Sequence, residues 1–238
     1  MNPDQKSKDP KRNQVKKMFD SISFEYDFLN GIMTFNSHKR WKKNILNIAK
    51  KSKPKNALDI ATGTADIAIN LASISNCEVI GVDISEQMLN VGREKIIKMR
   101  LGKSVRLESG DAENLKYDDN FFDIVTIGFG VRNFQDLEKG LGESRRVLKK
   151  HGKFIVLETS IPKNTIIRFF YSLFTRTYIP LMALIFSRDK SAYDYLLNSA
   201  ELFPCGIEFK NILKSVGFRN VQIKPKFFGS STIYIATK

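Results

Sequence analysis

Cysteine is scarce in this chain. Cys77 and Cys205 stand far apart, which speaks against a disulfide framework and against a cysteine-ligated metal site. The N-terminus, MNPDQKSKDPKRNQ, lacks the apolar core of a signal peptide, so a cytoplasmic location is expected. There is no internal repeat, and no low-complexity segment beyond the N-terminal tail. Acidic residues are few: 25 against 39 Lys and Arg, a net charge of +14. Residues 1–55 hold fourteen basic side chains and five acidic ones, and no acid falls between Lys39 and Lys55. Such a field favours an anionic partner, nucleic acid or a negatively charged membrane surface; a lysine-rich solvated face is the plainer reading.

A complete G-x-G-x-x-G is also lacking, and with it the usual seat for a pyrophosphate. What is present is Ala57–Asp66, ALDIATGTAD, answered by Val79–Ser85, VIGVDIS. An apolar run ending in Asp59 turns through Ala61, Gly63 and Ala65 into a helical pattern, and Asp83 closes the next apolar run. That is the layout of a nucleotide-binding βαβ unit, with an acid placed to hold ribose hydroxyls. A ribose-bearing ligand without a pyrophosphate fits best, and S-adenosyl-L-methionine (SAM) is the expected cofactor. No metal is expected.

With 238 residues the chain is long enough for one large α/β domain with a full core. Residues 1–12 are polar, carry Pro3 and Pro10, and are expected to form a flexible basic tail. Residues 13–238 read as a single domain. Its 13–55 part is helical, with Val15, Met18, Phe19 and Ile22 at helix spacing, then an aromatic stretch broken by Asn30-Gly31, then a helix through Trp41 and Ile45. Strands are expected at 57–60, 78–83, 105–108, 122–127 and 153–158, with helices between them, which implies a mostly parallel sheet. Residues 161–204 are rich in bulky apolar groups without a strand pattern. Arg168, Arg176 and Pro180 interrupt the run, which reads as too short to span a bilayer and better as an insertion capping the site. Two closing strands, 220–224 and 232–237, flank Gly229-Ser230 as a hairpin would.

Three features fall at the C-terminal ends of the parallel strands, where ligands bind. Thr64 suits the methionine part of SAM, Asp83 its ribose, and Asp111 with the Ala112 N–H its adenine; each acid could instead cap a helix.

Further segments carry a family resemblance over nearly the full length: Met18-Phe19-Asp20-Ser21-Ile22, His38-Lys39-Arg40-Trp41-Lys42, Leu58 to Asp66, Gly110-Asp111-Ala112-Glu113, Phe129-Gly130-Val131-Arg132-Asn133 and Ser191-Ala192-Tyr193-Asp194-Tyr195. In these the chain resembles the ubiquinone/menaquinone-biosynthesis C-methyltransferase family. Ala65, His151 and Gly128 depart from that pattern, Ala65 standing for the usual last glycine of the turn.

The resemblance implies a class I SAM-dependent methyltransferase fold, Rossmann-like, with a seven-stranded mostly parallel sheet and helices on both faces. It implies methyl transfer to a ring carbon of a polyprenylated quinol, demethylmenaquinol foremost, with a benzoquinol of ubiquinone biosynthesis as the alternative. Ala61, Gly63 and Gly128 join Thr64, Asp83, Asp111 and Ala112 as cofactor residues. Arg132 is expected to stabilise a phenolate or hold an activated water, Asn133 to orient the ring, and His38 is the other candidate base. Tyr26, Trp41, Phe129 and Tyr193 are expected around the ring, with plain core packing an equal reading for Tyr26, Trp41 and Tyr193. The basic N-terminus and apolar insertion together suggest peripheral contact with an anionic membrane on its inner face; a homodimer is one assembly the sequence allows.

Rival readings have specific gaps. An RNA methyltransferase would use the basic charge, but the Asn/Asp-Pro-Pro-aromatic motif is missing after the fourth strand, and Cys205 lies far from it. No nucleic-acid partner is expected. A non-catalytic quinone-binding protein would not need Thr64, Asp83 and Asp111 together.

Overall fold

The computed structural model describes residues 2–4, 6–187 and 189–238. Helices α1 (Lys11–Ile22), α2 (Tyr26–Met33) and α3 (Ser37–Lys50) come first. There follow β1 (Asn56–Ile60), α4 (Asp66–Leu71), β2 (Glu78–Asp83), α5 (Glu86–Lys98), β3 (Val105–Ser109), β4 (Phe122–Gly128), α6 (Leu137–Val147) and β5 (Leu148–Thr159). Helices α7 (Thr165–Phe186), α8 (Lys190–Leu202) and α9 (Ile207–Ser215) precede the hairpin of β6 (Arg219–Lys226) and β7 (Ser231–Thr237).

The seven strands form one sheet in the order β3-β2-β1-β4-β5-β7-β6. Only β7 runs antiparallel to its neighbours. Strand order reverses between β1 and β4, and such a switch point opens a crevice beyond the strand ends. Alternation along the strands sorts the core. Leu58, Ile60, Val125, Ile127, Phe154 and Val156 pack on one face beneath Leu141, Phe209 and Leu213. Ala57, Ile124, Ile155 and Leu157 pack on the other against Ile45, Ala68 and Leu71. Each fully buried Leu, Ile or Phe contributes about 1.5–3 kcal/mol. A third cluster, including Val15, Met18, Ile22, Leu29, Met88, Ala183 and Tyr193, joins the N-terminal helices to the cap.

The first helix begins two residues before the expected Asn13. Lys11 and Arg12 already belong to α1, the Asp4 amide donates to Gln14 Oε1 at 2.8 Å, and Gln14 Nε2 donates to the Asp9 carbonyl at 2.7 Å. Of the expected tail, Met1 and Gln5 lie outside the described residues. Further along α1, Asp20 Oδ1 accepts from Ser85 Oγ at 2.6 Å, tying the helix to the start of α5.

Asn30-Gly31 does not break the aromatic stretch. The helix runs through it, and the chain turns instead at Phe35 and Asn36, both left-handed at φ 47° and 57°. Strand β5 starts five residues before the expected Lys153, because Leu148 pairs with Phe122 across a bulge. The insertion run, expected to be interrupted, is one 22-residue helix with Pro180 inside it. By length and composition α7 could cross a bilayer.

Candidate active site

The turn after β1 is built from left-handed backbone: Ala61, Gly63 and Ala65 have φ of 52°, 55° and 67°. That geometry is cheap only for glycine, and two side chains hold it in place. Asp59 Oδ2 accepts from Thr62 Oγ1 and its Oδ1 from Thr126 Oγ1, each at 2.6 Å, which fixes the turn to β4 at the switch point. Asp83 Oδ2 accepts the Gly63 amide at 2.8 Å and its Oδ1 the Ser85 amide at 2.9 Å. Burial pushes the Asp83 carboxyl up to about 6, against the pull of these amides.

A hollow of about 80 Å³ lies beyond the strand ends. Ala61, Gly63, Asp83, Asp111, Ala112 and Gly128 line it, as expected from sequence, and so do Tyr26, Phe129 and Asn133. Arg12, Val15 and Phe19 of α1 roof it, and the sequence reading missed that role. Arg12 Nη1 meets Asp111 Oδ2 at 2.8 Å, so Asp111 holds a guanidinium where an adenine amino group was expected.

Thr64 is not part of the hollow's lining. Its hydroxyl donates to Asp27 Oδ1 at 2.6 Å and accepts from Lys95 Nζ at 2.9 Å, so it joins the turn to α2 and α5.

A second, larger cavity of about 490 Å³ opens beneath α7, a size suited to a small-molecule ligand. His38, Trp41, Arg132 and Tyr193 are in its wall. Tyr26, Ala61, Gly63, Gly128 and Phe129 line both spaces, so the hollow and the cavity meet there. Phe129 is left-handed at φ 58°, a costly state for an aromatic residue that is typical of functional turns.

Arg132 is not a free cation. Its Nη1 donates to Glu158 Oε1 at 2.6 Å and to the Phe129 carbonyl at 2.9 Å, with the two side chains 8% and 0% exposed. The pair is close to electrically neutral, and it holds Phe129 in place. Asn133 lines the hollow and not the large cavity; its Oδ1 accepts from Tyr195 Oη at 3.2 Å. Arg132 and Asn133, expected to act on one ring, therefore face different spaces.

His38 is buried, and its Nδ1 lies 2.6 Å from Thr34 Oγ1. The Thr34 hydroxyl proton is directed at the Asn30 carbonyl, also 2.6 Å away. Thr34 can then only accept from His38, which puts the imidazole proton on Nδ1 and leaves the Nε2 lone pair without a partner among the described residues. Burial, helped by Lys42, lowers the ring's pKa to about 4, so the imidazole is neutral at physiological pH. Tyr193 Oη is buried with no hydrogen-bond partner, and burial raises its pKa.

Similarity to known proteins follows the same lines. The model of the ubiE/COQ5 methyltransferase family matches residues 5–238. This chain belongs to that family. It is 39% identical over 229 residues to a demethylmenaquinone methyltransferase of Bacteroides fragilis, covering 96% of this chain and 94% of the relative. A demethylmenaquinone methyltransferase of Staphylococcus carnosus is 40% identical over 229 residues, with 95% and 94% covered. Among solved structures, a SAM-dependent methyltransferase from Thermotoga maritima superposes with a TM-score of 0.62 at 20% identity, over 93% of this chain and 99% of that one; at that identity the likeness is one of fold.

Two departures from the family pattern have a structural setting. Ala65 occupies its left-handed position with its side chain fully buried. At Gly128, a Cβ would come within 2.3 Å of Ile67 Cδ1, so any side chain there requires Ile67 to move.

Proposed function

We propose that this member of the ubiE/COQ5 family converts demethylmenaquinol to menaquinol, with SAM bound at the strand ends and the quinol ring in the large cavity. The observation that carries the reading is the meeting of the two spaces at Gly63, Gly128 and Phe129. A donor in one and a ring in the other can be held in line there, and such positioning is worth up to ~7–11 kcal/mol.

The residues present fit SAM. Asp83 offers a buried carboxylate to a ribose diol, and the small-residue turn lets the backbone approach. Asp111 would take the adenine side with Arg12 displaced or shared. When bound, SAM supplies an activated methyl group. His38 Nε2 takes the proton of a ring hydroxyl, and the buried Tyr193 hydroxyl donates to a ring oxygen. Trp41 and Phe129, in contact at 6.1 Å between centroids, form one aromatic wall beside the ring. Arg132 and Asn133 position this junction: Arg132 through the Phe129 carbonyl, Asn133 from the cofactor side.

Purified protein, SAM and demethylmenaquinol should give menaquinol, heavier by one methylene on mass spectrometry. Methylation of a polyprenyl benzoquinol alone would move the enzyme to the ubiquinone branch. His38→Gln is expected to lower kcat by about 10²-fold while leaving SAM affinity, read by calorimetry, unchanged. An unaltered kcat would remove His38 from the chemistry.

The quinol's prenyl tail places the reaction at a bilayer, and the cap has a surface suited to one. Phe35, Phe170, Phe227 and Phe228 both line the cavity and project into solvent at its mouth. Ile166, Phe169, Leu173, Leu184 and Ile185 extend that exposed apolar surface along α7. No Asp or Glu occurs in 28–58, 159–188 or 209–238, the stretches from which these mouth residues come. Tyr171, Phe174 and Ile179 of α7 face the cavity, which supports a helix lying along a membrane over one crossing it. The face meets the anionic inner leaflet, and the location is cytoplasmic. Flotation with anionic vesicles at low salt should carry the protein upward, and Phe169→Ser/Leu173→Ser should leave it in solution. A dimer in light scattering, with no vesicle binding, would mean that a second copy covers this face.

A further inference from the structure

If the large cavity takes a quinol, as the reading above holds, its wall must also accommodate an ionised ring oxygen. Arg132 is already committed to the fully buried Glu158 and to the Phe129 carbonyl. The other cation among the described residues of the wall is Lys42, one helical turn after His38 on α3.

Lys42 ends a chain of alternating charges. Its Nζ meets Asp66 Oδ2 at 2.8 Å, Lys95 Nζ meets Asp66 Oδ1 at 2.7 Å, and Lys95 continues to Asp27. Asp66 and Lys95 each have two charged partners, and Asp27 also accepts from Thr64. Lys42 has Asp66 alone among the described residues, which leaves two of its three N–H donors unassigned. Its side chain is only 13% exposed. Burial works against its charge, but Asp66, Tyr26 and Asp27 more than offset this and raise its pKa, so the ammonium persists. Thr34, His38 and Lys42 thus form one face of α3 and its approach, with a proton acceptor and a permanent cation in the same wall.

We propose that Lys42 is the cation that receives the ionised ring oxygen of the quinol while His38 accepts its proton. The O–H bond breaks, the proton goes to Nε2, and the electron pair remains on oxygen against the Lys42 ammonium. From there it raises the electron density of the neighbouring ring carbon. The same ammonium disfavours a protonated His38, so the proton is held weakly and passes on to solvent. Lys42 belongs to the charge chain that joins α3 to α2, α4 and α5, so the packing of these helices sets its position in the wall.

The test uses 1-naphthol bound to the full chain without SAM, its ionisation followed by phenolate absorbance. Burial alone raises the pKa of a phenol, whereas a facing cation lowers it. Bound naphthol should ionise about one pH unit or more below free naphthol, and Lys42→Met should abolish that lowering. The titratable neighbours His38, Asp66, Asp27 and Tyr26 are common to both proteins. Ionisation at or above the free value in the wild type overturns the proposal, whether or not any variant folds. Failure of 1-naphthol to bind would overturn the ring site itself, and with it this inference. In turnover, Lys42→Met should lower kcat about 10²-fold with SAM affinity unchanged, and Lys42→Arg should recover part of it. Full activity of Lys42→Met, with methyl transfer otherwise as proposed, overturns the role of Lys42 alone.

Discussion

Asp83→Asn is expected to weaken SAM binding by roughly 10²- to 10⁴-fold, about 3–6 kcal/mol. Two charge-assisted hydrogen bonds to the ribose diol are lost, and the replacement also disturbs the site before any ligand arrives. Each Asp83 oxygen already accepts a backbone amide, Gly63 on one and Ser85 on the other. An asparagine in either flip turns an NH₂ against one of these N–H donors. The left-handed Gly63 turn loses its anchor in the same step. The carboxyl itself titrates near 6, raised first by burial. Its ionised form is the one that accepts two hydroxyls, so affinity should be level above about pH 7 and fall up to tenfold per unit below about pH 6. Calorimetry across about pH 5–8 should find this decline in the wild type and a flat, weak profile in Asp83→Asn. A variant that binds SAM as the wild type does would mean that the ribose lies elsewhere.

That carboxylate was legible in the sequence because local rules fix it. A continuous apolar run, buried on both faces, an acid at its end and small residues in the preceding turn suffice to place Asp83 beside Gly63 at a switch point. The mostly parallel sheet follows from strands that alternate with helical segments and from right-handed crossovers. Thr64 shows where this kind of reading ends. Its position in the turn was evident, but its hydroxyl answers to Asp27, 37 residues away, and to Lys95, 31 residues away. No local period encodes such a partnership. Asp111 is similar: its strand end was readable, its partner Arg12, 99 residues earlier, was not. Helix α7 fails for another reason. Proline and charges argue against a continuous helix locally, yet Tyr171, Phe174, Thr175 and Ile179 gain a shared cavity face only if the helix continues, and tertiary packing outweighs propensity.

Arg132 is the residue for which this distinction matters most. Its sequence context suggested a catalytic cation; its structure is that of a buried counterion. Arg132→Met should destabilise the protein by about 3–5 kcal/mol, because Glu158 loses its cation. The penalty is severe here: Glu158 is fully buried, and its Oε2 already lacks a hydrogen-bond partner. Urea unfolding would read the loss directly, and Tm should fall by roughly 10 °C. Activity should fall as well, since the Phe129 carbonyl loses its donor and the left-handed Phe129 is free to relax at the meeting of the two spaces. The double variant Arg132→Met/Glu158→Gln removes the orphaned charge and should recover most of the stability. Its kcat then separates the roles. If Arg132 acts by holding Phe129 and neutralising Glu158, part of the activity returns with the fold. If the guanidinium contacts the ring oxygen, the double variant is stable and as inactive as the single one, and the phenolate site would have to be shared between Arg132 and the opposite wall.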